Sequence, residues 1–310
     1  MKKAPLTLPN EDAMMPERGL ERSGRQGTVA MPKRGSKRVI DRAGALHATC
    51  APDLVEQTRL APVDVHRLRV SVKELRALWQ VLKPFLPGGQ ADAASRDIAR
   101  AAKLLAGARD QFVRVKTLDK LMRKTGEEDR QSLGHAREQL VALQPESAEE
   151  ALVTAEIVSL FAQDRERWRR LDVACGRREL IDYGYGRLYR RGRKRFQRAV
   201  ESGEDEDWHR LRRWTKYLAL ALPLVADKGG TQKAAKRFAR LAEKLGDLHD
   251  LDELRYSLQA LPEPEAASNR PAIAIVTERA DALRGECHKR SKRLFRARPK
   301  DAAKREFAGV

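Results

Sequence analysis

His66, Arg69, Lys73 and Arg76 follow one another at three- and four-residue steps. On a helix that spacing gathers the four side chains within an arc of about 80°, while Leu68, Val72, Leu75, Trp79 and Leu82 fall on the opposite side. The run returns as His209, Arg212 and Lys216, with Arg213 beside it and Ala219 in the place of the last Arg. Such a row suits the holding of phosphate. Arg offers a fork of donors to two oxygens, Lys a point charge, and His a donor that gains charge on protonation. A solvated helix face ordinarily mixes Glu with Lys for mutual support. These rows are almost free of acid, so their charges repel, and repeating that cost at matched positions points to a polyanionic ligand.

A second pair of blocks follows in the same order. Leu105-Ala106-Gly107-Ala108-Arg109-Asp110 matches Leu245-Gly246-Asp247-Leu248-His249-Asp250, and upstream of it Arg96 and Arg100 fall on Lys236 and Arg240. Ordered matches of this kind point to an internal duplication. His249-Asp250 also resembles the His-Asp dipeptide of helical metal-dependent phosphohydrolases. The repeat argues against a metal there, because His249 aligns with Arg109 and a guanidinium cannot replace a metal ligand. We expect no metal, no cofactor and no catalysis. The phosphate-loop, dinucleotide, zinc-protease and nucleophile-elbow signatures are missing from the sequence. Cys50, Cys175 and Cys287 are odd in number and far apart, which suits a reducing compartment rather than a disulfide framework.

These residues sit in a chain that reads as helix after helix, rich in Ala, Leu, Arg, Glu and Lys, with no convincing strand alternation. The fold class expected is all-α, as two similar helical bundles over 38–173 and 177–298, flanked by a disordered, mildly basic leader over 1–37 and a tail over 299–310. The stretch from Asp182 to Ala199 predicts one more two-faced helix. Tyr185, Leu188, Tyr189, Gly192 and Phe196 form its core side, and Arg187, Arg190, Arg191, Lys194 and Arg198 its basic side. Over 310 residues, Lys plus Arg number 63 against 44 Asp plus Glu, a net charge of +19. That excess favours a polyanion such as nucleic acid, an acidic membrane surface or polyphosphate. Aromatics are only 5% of the chain, which counts against single-stranded nucleic acid, whose binders need stacking surfaces. No apolar run is long enough to span a membrane and no secretory signal is recognisable, so a cytoplasmic location is expected.

The pattern His66-x-x-Arg69-x-x-x-Lys73-x-x-Arg76, its copy from His209, the Leu-Gly-x-x-His-Asp block at Leu245 and the segment from Tyr185 to Phe196 together resemble the CHAD family, the conserved histidine α-helical domain. The resemblance covers roughly residues 38–298. It implies two four-helix bundles related by pseudo-two-fold symmetry around a basic groove or pore, and binding of inorganic polyphosphate without catalysis. By motif position it assigns the ligand to His66, Arg69, Lys73, Arg76, His209, Arg212 and Lys216, then to Arg109 and His249, and more loosely to Arg187, Arg190, Arg191 and Lys194. Some relatives associate with polyphosphate or storage granules. Others carry a triphosphate-tunnel domain, whose alternating Glu motif does not occur in this sequence. Ala219 and Ala106 depart from the pattern. The alternative reading is a nonspecific nucleic-acid-binding helical protein, for which the basic stretches Lys33–Arg38 and Lys289–Arg298 speak.

Overall fold

The computed structural model describes residues 34–105, 109–142, 151–225 and 229–308. In chain order its helices are α1 (Arg34–Val55), α2 (Pro62–Leu82), α3 (Gln90–Leu104), α4 (Arg109–Met122), α5 (Glu127–Ala142), α6 (Ala155–Arg169), α7 (Arg177–Glu179), α8 (Gly186–Ser202), α9 (Asp205–Val225), α10 (Gly229–Gln259), α11 (Glu265–Ser268), α12 (Arg270–Leu294) and α13 (Pro299–Glu306). A π-helical turn, Leu180–Tyr185, joins α7 to α8. The strands described, β1 (Arg59–Leu60) and β2 (Ala151–Leu152), pair antiparallel and tie two loops together. The all-α expectation holds.

Local chemistry sets the helix ends. Pro62 opens α2 at a position whose N–H has no helical partner, and Asp64 in the same turn faces the positive end of the helix dipole. Asp205, Glu206 and Asp207 do the same for α9. The Thr154 hydroxyl accepts from Ile157 N at 3.3 Å to cap α6. Gly203, at φ 70°, ends α8 in the left-handed region where a side chain would be strained.

Helices α1, α2, α3 and α6 close a ring in which each packs on the next. The predicted apolar side of α2 is its core, with Leu68, Val72, Leu75, Trp79 and Leu82 buried. Deep in this ring Asp164 of α6 accepts from Trp79 Nε1 at 2.8 Å, from Trp168 Nε1 at 3.1 Å and pairs with His47 Nε2 at 2.9 Å. A carboxylate taken out of water needs such partners, and together they fix α2 against α1 and α6. In the second half α9 packs between α8 and α10, and α10 packs on α12. The two halves meet where α2 lies against α9.

Three expected boundaries need correction. The leader does not run to residue 37: α1 begins at Arg34, and Gly35 seats its backbone so close to Cys175 and Gly176 that a Cβ would come within 2.7 Å of both. Ser36 N donates to Cys175 O at 3.1 Å, locking this turn to the connection between the halves. Residues 1–33, the rest of the expected leader, lie outside the described residues. The segment after 298 is a helix rather than a tail. Glu306 of α13 accepts from the buried Tyr185 hydroxyl at 2.7 Å, and the Phe307 ring sits edge-on to Tyr185 at 5.0 Å. The third correction concerns the hairpin of α4 and α5, expected in the first bundle. Instead α4 packs on α10 and α5 on α12. Gln139 Oε1 accepts from Asn269 Nδ2 at 2.5 Å, while Leu133, Ala136 and Leu140 bury the inner face of α5.

Candidate anion-binding cleft

Helix α9 buries Trp208, Leu211, Thr215 and Leu218. By helical period this turns His209, Arg212, Arg213 and Lys216 the other way, toward the space between α2 and α10. That space is a cleft of about 690 Å³. Lys73 and Arg76 line it from α2, the four α9 residues from one side, and Lys236 and Arg240 from α10. Glu243, Asp247 and Asp250 give it one acidic edge. Lys73 and Arg76 of the first row and His209, Arg212 and Lys216 of the second therefore face one space.

A second cavity, of about 450 Å³, adjoins the first. Arg76, Arg213 and Tyr217 line both. Its remaining cations are Lys83, Arg96, Arg187 and Arg191, set among Gln80, Asp92, Ser95 and Trp214. Arg187 lies over the Trp214 ring, 5.7 Å from its centroid, and Arg76 over Tyr217 at 6.0 Å. These rings carry guanidinium groups on their faces, which is how an aromatic side chain serves an anion site without stacking on a base.

His209 and His249 form a pair at the cleft, with ring centroids 4.2 Å apart and planes tilted by 56°. Burial lowers the His209 pKa to about 4, helped by His249, Arg212 and Arg213. Its ring is neutral at pH 7, and its buried Nδ1 makes no hydrogen bond among the described residues. The sequence reading foresaw a His that gains charge beside phosphate. In the structure, burial and the neighbouring cations suppress that charge.

Gly246 explains the glycine of the Leu-Gly-x-x-His-Asp block. A Cβ built there would stand 3.2 Å from both Nε and Nη2 of Arg212. The missing side chain is the room that the Arg212 guanidinium occupies. Ala219, the departure from the first row, is buried at 8% exposure, so α9 turns into the core where α2 still offers Arg76 to the cleft.

Of the sequence-predicted residues, Lys73, Arg76, His209, Arg212, Arg213 and Lys216 line the first cavity, and Arg187 and Arg191 the second. His249 reaches the site through His209. His66 stands exposed, and Arg69 donates from Nη1 to Ala102 O of α3 at 2.8 Å, so the matched histidines have unlike surroundings. Arg190 and Lys194 are exposed on α8 and line neither cavity. Arg109 is helical, but its side chain lies outside the described residues. Sequence reasoning missed Lys83, Arg96, Lys236 and Arg240 as site residues. The signal for three of them was present, since Arg96 matches Lys236 in the repeat and Arg240 stands one turn beyond.

The family model for the CHAD domain matches residues 45–259, and the chain belongs to this family. The match takes in both His-led rows and the His249 block. The crystal structure of the CHAD domain from the plant Ricinus communis is similar at a TM-score of 0.49 and 20% identity, covering 93% of this chain and 96% of that one. No curated protein matches the sequence significantly. No helix among the described residues is long and apolar enough to cross a membrane.

Proposed function

We propose that this protein binds inorganic polyphosphate in the two adjoining cavities, without catalysis, in the cytoplasm and on polyphosphate or storage granules. The observation that carries the reading is the convergence of cations from α2, α8, α9 and α10 on one joined space. Polyphosphate carries about one negative charge per phosphate and has no base to read. It needs closely spaced cations, which line this space, and no open stacking platform. Tyr217 is buried, and both aromatic rings lie under guanidinium groups. The cavities supply donors and positive charge, which hold phosphate oxygens without cleaving the bonds between them. His66, Arg69 and Arg109 extend the proposed contacts beyond the cavities, as do Arg190, Lys194 and His249.

Calorimetric titration of the full chain with long-chain polyphosphate near physiological salt tests this, with duplex DNA and triphosphate as controls. The expected result is submicromolar affinity for polyphosphate alone, falling steeply with salt. Equal, weak binding of all three would overturn the reading in favour of nonspecific attraction to a basic protein.

A further inference from the structure

The second cavity holds a guanidinium whose hydrogen-bond partners are amide oxygens rather than a carboxylate. Arg187 is half-buried, yet no carboxylate among the described residues lies within ion-pair distance of it. Some arginines take acidic partners, as Arg42 does with Glu74 at 2.6 Å and Arg167 with Asp97 at 2.7 Å, whereas Arg76 and Arg177 bond the neutral oxygens of Ser95 and Val225. Arg187 is held by Gln80 instead. Its Nη1 donates to the Gln80 main-chain oxygen at 3.1 Å and to Oε1 at 3.2 Å, and its Nη2 donates to Oε1 at 3.3 Å. A guanidinium has five N–H groups, so the Nε–H and one Nη2–H stay outside these bonds.

An acid is close by. Asp92 lines the same cavity and is bonded by Lys83. Its other oxygen accepts from Gln80 Nε2 at 3.3 Å. The Gln80 amide therefore stands between the two charges, donating to the carboxylate with one end and accepting from the guanidinium with the other. A neutral amide orients a guanidinium without cancelling its charge, whereas a carboxylate does both. Burial and the charge of Arg191 lower the Arg187 pKa, with Arg190 adding to them and Asp92 offsetting them only in part, so the site carries an electrostatic cost that a bound anion would relieve.

We propose that Gln80 is a positioning residue for anion binding, which holds Arg187 over Trp214 and keeps it from pairing with Asp92, so that its charge stays open to phosphate. The proposal rests on the polyphosphate reading of the cavities. In a Gln80→Leu variant all three side-chain bonds are lost, the two from Arg187 and the one to Asp92, and Arg187 turns to Asp92. Polyphosphate affinity then falls about tenfold, the scale of one charge-assisted hydrogen bond. In an Asp92→Asn background, where no carboxylate waits for Arg187, the same substitution weakens binding less than about threefold. A Gln80 that only filled space would give equal losses in both backgrounds, and that result would overturn the proposal. Gln80→Glu keeps the side-chain length but neutralises Arg187 directly. It too should weaken binding, now without rescue by Asp92→Asn, and unchanged affinity would count against the proposal.

A readout free of polyphosphate separates the two hypotheses. Modification of Arg187 by phenylglyoxal, followed by peptide mass mapping of the full chain, should slow in Gln80→Leu and recover in the double variant. Unchanged Arg187 reactivity overturns the positioning role. A wild-type chain that ignores polyphosphate, yet shows the slowed and recovered reactivity, overturns the ligand and supports the role of Gln80.

Discussion

Helix α9 carries two ionic regions that use the same side chains to opposite ends. At its first turn Asp205 meets Arg255 of α10 at 2.5 Å and Arg284 of α12 at 2.6 Å, and Tyr256 donates to it at 2.7 Å. Asp252 lies 3.3 Å from the same Arg284. Every charge in this knot has an opposite within reach, and the knot binds three helices together. One to three turns further on, His209, Arg213 and Lys216 face Arg76 and Lys236 across a cavity. There, like charges converge and the surplus stays unspent. Pairing turns arginines into structure, and leaving them in excess turns them into a site.

The sharpest way to break this comparison is to remove the surplus. The triple variant Arg76→Ala, Arg213→Ala, Lys216→Ala should lower polyphosphate affinity about 100-fold or more and flatten its salt dependence, since each neutralised phosphate contributes a log–log slope near 0.9 in DNA systems. Its melting temperature should hold or rise, because repulsion is relieved. Calorimetry at several salt concentrations checks the first half and thermal unfolding the second. A comparable fall in stability would mean that the cations were structural after all.

Asp205→Ala is the converse experiment. Two partly buried guanidinium groups lose their main partner, and denaturant unfolding should show a loss of about 2–3 kcal/mol. Polyphosphate affinity should stay within about twofold of wild type. Gly246→Ala separates the two properties within one residue. Alanine favours the helix by up to about 1 kcal/mol. Its Cβ nevertheless presses on the Arg212 guanidinium, so binding should weaken about threefold while the melting temperature holds or rises.

The smallest effect is also the most diagnostic, because acid acts on the two regions with opposite sign. His209 titrates near 4 in the folded chain against about 6.5 when exposed. Between those values the unfolded chain holds more protons, so this residue makes stability fall as pH drops from 6.5 toward 4. Burial and the neighbouring Asp205 raise the Asp252 pKa to about 6. There the folded chain holds more protons, so that carboxyl adds stability as pH falls from about 6 toward 4. Stability curves of His209→Gln and Asp252→Asn should bend away from wild type in opposite directions. Polyphosphate in the cleft should raise the His209 pKa, so its binding near pH 5.5 should take up protons, seen as a dependence of binding heat on buffer. His209→Gln should lessen that uptake.

The sequence made some of this plain and hid the rest for definable reasons. Periodicity separates the buried side of a helix from its wet side, and both the cation rows and the core stripe from Leu68 to Leu82 follow from it. It says nothing of which helix covers the stripe. Hence α5, with its ordinary amphipathic face, gave no sign that it crosses to α12. Gln80 is invisible for a related reason. It lies among apolar neighbours on the inner side of α2, and only the approach of α8 gives its amide a guanidinium to hold. Arg96 and Lys236 were legible as a matched pair, but their role depended on which cavities they line.

The crossing hairpin has a consequence for how the chain is made. Helices α4 and α5 leave the ribosome well before α10 and α12, on which they dock, have been synthesised. At roughly 5–20 residues per second the pair waits on the order of ten seconds with its inner face uncovered. The first ring of helices can close during that interval, but the hairpin cannot finish until α12 emerges. Synthesis of the nascent chain thus acts as a timer, and a stall after α9 would leave Leu133, Ala136 and Leu140 open to chaperones.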